Sequence, residues 1–207
     1  MVVTAAVAAC STTHAVRPLG RGNASLGASL GGPLVQVAGV DIASPILTVQ
    51  GGYGLRDNLE VTANADLTAA AYGDLHLEPG LAYHPVVRDS GLVPTLTVAG
   101  SVHFLTSFSD TFVAPQVTMA GAWRIRRRHL VYLGVEGLLA STAPSRPVFG
   151  PLVGGELRVG RYGLTLEAAW VAVNYDVGPT APSWLSPDNR GYLNILVGVT
   201  RYLGDVR

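Results

Sequence analysis

The chain has 207 residues, with 14 Arg, no Lys and 14 acidic residues, so its formal net charge is zero. Charged residues make up 14% of it, against roughly 25% in ordinary soluble domains, while 48% is hydrophobic. These values exclude intrinsic disorder, which needs low hydrophobicity and high charge, and a polyanion-binding surface, which needs a basic excess; no nucleic-acid partner is expected.

A membrane-spanning helix needs about 20 largely apolar residues in a row. The best apolar stretches, 164–173 and 130–140, are interrupted by Glu167 and Glu136, and 25 Gly residues are scattered along the chain. The hydrophobicity is therefore spread over many short segments, as in a soluble β-sandwich or a closed barrel in a bilayer.

Residues 1–10 open with a short apolar run ending Val7-Ala8-Ala9-Cys10. This resembles a bacterial lipobox, in which a branched residue and two small ones precede a Cys that becomes lipidated. Cys10, the single Cys of the chain, is the expected lipid anchor. Only nine residues precede it and none is basic, so the signal reads as truncated. Residues 11–22 then read as a flexible polar tether.

From Asn23 to residue 204 one pattern recurs: apolar residues at every second position for about 10 residues, then a turn signal, which is the signature of strands long enough to cross a bilayer when tilted. The segments begin at Asn23, Leu47, Leu59, Leu75, Leu96, Gln116, Val131, Val153, Leu164 and Leu193. The third is the cleanest, with Leu59, Val61, Ala63, Ala65 and Leu67 opposite Glu60, Thr62, Asn64, Asp66 and Thr68. The ninth blurs at Val171 and Val173, and the tenth has Leu196 out of phase. The polar faces carry Gly, Ser, Thr, Asn and isolated charges, not the dense Lys, Glu and Arg of a water-exposed sheet. That composition suits a narrow lumen, with the apolar face turned to lipid.

The connections tend to alternate. Short ones lie at 56–58, 126–129 and 160–163, and longer ones at 31–45, 107–115, 141–150 and 176–190. Residues 70–74 are short on the long side, and 85–91 are longer on the short side. Transmembrane barrels place short turns in the periplasm and long loops outside. Tyr53, Tyr83, Trp123, Tyr132, Tyr162 and Tyr202 fall near the short-turn side, and Phe104, Phe149, Tyr175 and Tyr192 near the other, which suggests two interfacial belts.

Taken together, the chain resembles the small bacterial outer-membrane β-barrels of the antiparallel up-and-down type. That implies an all-β transmembrane barrel of about 10 strands, or 8 or 12, since residues 34–42 could hide another strand. An even count puts both termini in the periplasm. The resemblance also implies outer-membrane lipids and the barrel-assembly machinery as partners. That machinery reads a terminal aromatic; here the candidate is Tyr202, a few residues before the end.

The candidate functional residues are the charges of the inward faces: Glu60, Asp66, Glu78, Glu136, Glu156 and Glu167 with Arg124 and Arg158. Charges inside a narrow barrel must be paired or solvated. They read as a network that plugs the lumen, with a small cation-preferring pore as the sharper alternative. His76 and His84 lie eight apart on one inward face, too far to share a metal, and His103 on the next strand could neighbour one of them. A hydrogen-bonded lumen network is the expectation, with no metal, cofactor or catalytic residue. The expected function is structural or weakly pore-forming. Alternatives are an outer-membrane lipid-modifying enzyme, for which Ser101, His103, Ser107 and Asp110 are the candidate set, and a soluble β-sandwich that binds a ligand or partner.

Overall fold

The computed structural model describes residues 13–88, 92–107, 111–126, 128–139, 147–176 and 185–206. Cys10 and Asp110 lie outside the described residues.

Eleven strands follow in chain order: β1 (Ala24–Val37), β2 (Val40–Ala43), β3 (Ile46–Arg56), β4 (Leu59–Asp66), β5 (Leu75–Val86), β6 (Thr95–Thr106), β7 (Thr111–Ile125), β8 (His129–Leu139), β9 (Pro147–Val159), β10 (Tyr162–Asp176) and β11 (Arg190–Leu203). From β3 to β11 each strand pairs with the next, β1 pairs with β3, and β11 returns to pair with β1. The closing ladder is antiparallel and runs from Ala24 opposite Leu203 to Pro33 opposite Asn194. The result is a closed antiparallel barrel of ten strands. Closure gives each of the ten staves a partner on both sides, the condition for crossing hydrocarbon.

The stretch 34–42 contains a strand, but not a further stave. β1 continues beyond the barrel to Val37, turns through Ala38 and Gly39 with positive φ, and β2 pairs back on it from Val37/Val40 to Leu34/Ala43. This hairpin stands on the long-loop side. On the same side, the connection after β4 forms a short helix, α1 (Leu67–Ala71), whose first turn is capped by Asp66 accepting from the Ala69 N–H at 2.9 Å.

Alternation decides the two faces. Leu133, Leu157, Leu166 and Val197 are 57–59% exposed on the outside of β8, β9, β10 and β11. Their neighbours Tyr132, Glu156, Glu167 and Leu196 are buried inside. An outward band of this extent, Leu- and Val-rich and wrapped round a polar interior, is compatible with lipid, not with water. Among the tyrosines, Tyr53, Tyr83 and Tyr162 face out, whereas Tyr132, Tyr192 and Tyr202 are buried. The latter three therefore belong to the lumen and not to interfacial belts. Val171 and Leu196, which blur the alternation in sequence, are also inward. At Val171 the ladder between β10 and β11 shifts register, and the next residue, Ala172, has a positive φ.

Candidate functional site: the lumen and the segment inside it

The lumen is not lined by strands alone. Residues 13–19, read from sequence as part of a tether, lie inside the barrel, with Thr13, Val16, Arg17 and Leu19 all buried. The chain enters at the short-turn end, where Gly22 N–H donates to the Gly54 carbonyl and Gly54 N–H to the Asn23 carbonyl. β3 makes room for it with glycine. A Cβ on Gly54 would collide with the Gly20 carbonyl oxygen, and one on Gly52 would stand 3.1 Å from Leu19 Cδ1.

Four carboxylates hold this segment. Glu60 Oε2 accepts from the Leu19 N–H at 3.2 Å. Glu156 Oε1 takes the Arg17 guanidinium, with Nε at 2.8 Å and Nη2 at 2.7 Å. His14 sits between Glu167, whose Oε1 is 2.9 Å from Nδ1, and Glu136, whose Oε2 is 3.4 Å from Nε2. The His14 backbone N–H also donates to Glu167 Oε2 at 3.2 Å. Farther in, Thr13 and Gln50 exchange hydrogen bonds of 3.1 and 3.2 Å. Val16 packs on an inward apolar patch that includes Leu130, Tyr132, Leu152, Val171 and Tyr192. That patch departs from the wholly polar lumen expected from the alternation, and Val16 gives it a cover.

The predicted inward charges thus divide. Glu60, Glu136, Glu156 and Glu167 meet the inserted segment. Glu78 accepts from Asn64 Nδ2 at 2.9 Å and stands 3.8 Å from His103 Nε2. Asp66 is buried, but its work is mainly local, as the cap of α1, with His76 Nδ1 3.9 Å from its other oxygen. Arg158 donates to backbone carbonyls, Nη1 to Val206 at 2.7 Å and Nε to Gly160 at 3.2 Å. Arg124 is half-buried near the short-turn end of β7. The cation that meets Glu156 is therefore Arg17, outside the strands. Six inward acids against two inward arginines on the strands was the available sign that cations must come from elsewhere.

The histidines extend the network. His76 Nε2 lies 3.2 Å from His103 Nδ1 with the rings stacked, and His103 Nε2 bonds Gln116, whose Nε2 donates to Glu136 at 3.2 Å. His84 is separate, 3.0 Å from Thr97 Oγ1 and 3.5 Å from Glu60 Oε1. Both ring nitrogens of His103 are thus engaged, by His76 and Gln116. Among the described residues, no group of three or more His, Cys, Asp or Glu converges to hold a metal. Beside the inserted segment a cavity of about 100 Å³ remains, lined by Gln50, Glu60, Asn64, Glu78, Ser101 and Gln116 among others. Its lining is about half polar and half apolar, and it is large enough for several waters.

A closed ten-stranded wall, greasy outside and polar within, has one home. The barrel spans a bacterial outer membrane. No protein-family model matches the chain, and no curated protein matches it. Solved structures that overlap it include the translocator domain of the autotransporter NalP from Neisseria meningitidis, at 9% identity and a TM-score of 0.48, covering 88% of each chain. The KdgM porin overlaps at 10% identity and 0.44, covering 86% of this chain and 98% of that one. Ail of Yersinia pestis overlaps at 12% identity and 0.41, covering 88% and 100%. These overlaps are loose; the outward Leu and Val band of this chain is what sets it in a membrane.

Proposed function

We propose that this protein is a non-enzymatic outer-membrane barrel of small bore, plugged at rest by the lumen charge network together with residues 13–19. The observation that carries this reading is the buried pair of Arg17 and Glu156, 3% and 5% exposed. A buried pair of this kind contributes little net stability against an apolar substitute, but removing one partner leaves an uncompensated charge and costs about 3–5 kcal/mol. Such a pair is well suited to fixing one arrangement of a segment. Supporting it are the His14 contacts to Glu136 and Glu167 and the Val16 patch.

The test is conductance in planar bilayers. The full chain is expected to insert without steady current, and the double variant His14→Ala, Arg17→Ala to show discrete openings. A steady ohmic current from the unaltered protein, or silence from a variant that keeps its heat-modifiable gel mobility, contradicts the plug.

A further inference from the structure

Arg17 does more than neutralise Glu156; it fills a site shaped for its head group. The guanidinium edge places Nε at 2.8 Å and Nη2 at 2.7 Å from Glu156 Oε1, and Nη2 also donates to the Arg128 carbonyl oxygen at 2.7 Å. The Tyr202 ring lies against it, 5.8 Å from centroid to guanidinium carbon, and the Tyr202 hydroxyl bonds the other Glu156 oxygen, so the carboxylate is held in position. A carboxylate, a backbone carbonyl and an aromatic face, arranged round one planar group, match the directed donors of a guanidinium and not the compact charge of an ammonium.

The second charge nearby sharpens the selectivity. Arg158 lies on the same ring, 5.0 Å from its centroid, so a second guanidinium charge already stands beside the site. A bare cation gains little net attraction there. What remains to reward an occupant is the planar fork, the carbonyl and the ring. The site sits at the short-turn end, built from the β7–β8 turn at Arg128, from β9 and from β11. That is the end at which the inserted segment enters.

We propose that this pocket is a guanidinium-binding site, occupied in cis by Arg17, and that small guanidinium-bearing solutes on the periplasmic side compete for it and release the plug. The proposal rests on the plugged reading above and adds the ligand class that opens it. Because the resident ligand is tethered, its effective concentration is on the order of millimolar, so a free competitor acts in that range or above it.

The experiment uses the full chain in planar bilayers, with L-argininamide and L-lysinamide as probes matched in charge. Argininamide on the short-turn side is expected to raise the open probability about tenfold at concentrations near the tethered ligand's own, and lysinamide less than about twofold. An equal response to both, or none to argininamide, overturns the guanidinium site. Arg17→Ala separates the two levels. If it opens the barrel without any probe while argininamide acts no better than lysinamide, only the ligand assignment fails; if it stays silent, the plug fails too. A nitroxide at position 15 in a Cys10→Ser background reads the same event without current. Ala15 is exposed within the lumen, so the label is tolerated. Its mobility is expected to rise with argininamide and not with lysinamide, and no change with either overturns the proposal.

Discussion

Tyr132 and Gly154 face one another across β8 and β9, and the phenol ring occupies the place a side chain at residue 154 would need. From there the Tyr132 hydroxyl donates to Glu167 Oε2 at 2.8 Å, the same oxygen that receives the His14 N–H. A glycine on one strand thus sets the position of a carboxylate on the next, and that carboxylate holds the inserted segment.

Gly154→Val forces the ring off this position. Overpacking of a buried site costs about 1–3 kcal/mol. The variant is expected to lose its heat-modifiable gel band at a lower temperature than the parent, and the double variant Gly154→Val, Tyr132→Ala to recover part of the loss. An unchanged transition in the single variant contradicts the packing described.

Asp66→Ala removes the cap of α1 and one oxygen partner of His76. Loss of a helix cap costs about 1 kcal/mol. The expected result is a modest fall in the same transition, with Asp66→Asn close to the parent because the amide oxygen still accepts from the Ala69 N–H. If Asp66 acted mainly as a lumen charge, Asn and Ala would be equally damaging.

The barrel was legible in the sequence because lipid and lumen impose a period of two, which ten segments follow with breaks only at Val171, Val173 and Leu196. Glu60 and Glu156 could be set inward from their neighbours alone. Residues 13–19 could not, because a segment that threads a lumen has no period of its own. Its seven residues are held by contacts from β3, β4, β8, β9, β10 and β11, and nothing local in Thr13-His14-Ala15-Val16-Arg17-Pro18-Leu19 records them. Asp66 shows a related effect: it is buried on the inward face as its phase implies, and the turn that follows also makes it a helix cap. Tyr132 and Tyr202 sit near strand ends, where rings belong at interfaces, yet each has a carboxylate partner within reach that draws it inward.

The β1–β2 hairpin lies beyond the closed ladder, so shortening it should leave the barrel intact. Replacing residues 36–41 by Asn-Gly, a two-residue turn suited to a twisted hairpin, is expected to preserve heat modifiability and the transition temperature. Loss of folding would mean that the hairpin nucleates closure.

On the lipid face, a charge is costly in proportion to its depth. Leu166→Arg, inside β10 and clear of the rim, is expected to lower the stability of the vesicle-inserted protein by about 2–4 kcal/mol in denaturant unfolding. Leu203→Arg, at the rim, should cost far less. Equal, negligible effects at both positions would mean that this face meets water.

The central claim is that the outward side chains meet hydrocarbon. Nitroxides placed singly at Leu133, Leu166 and Val197 in vesicles test it most directly, since each side chain already projects outward and the label disturbs no contact inside. High relaxation by oxygen with little relaxation by a water-soluble nickel complex at all three is the predicted result; ready access of the nickel complex to these positions contradicts the account.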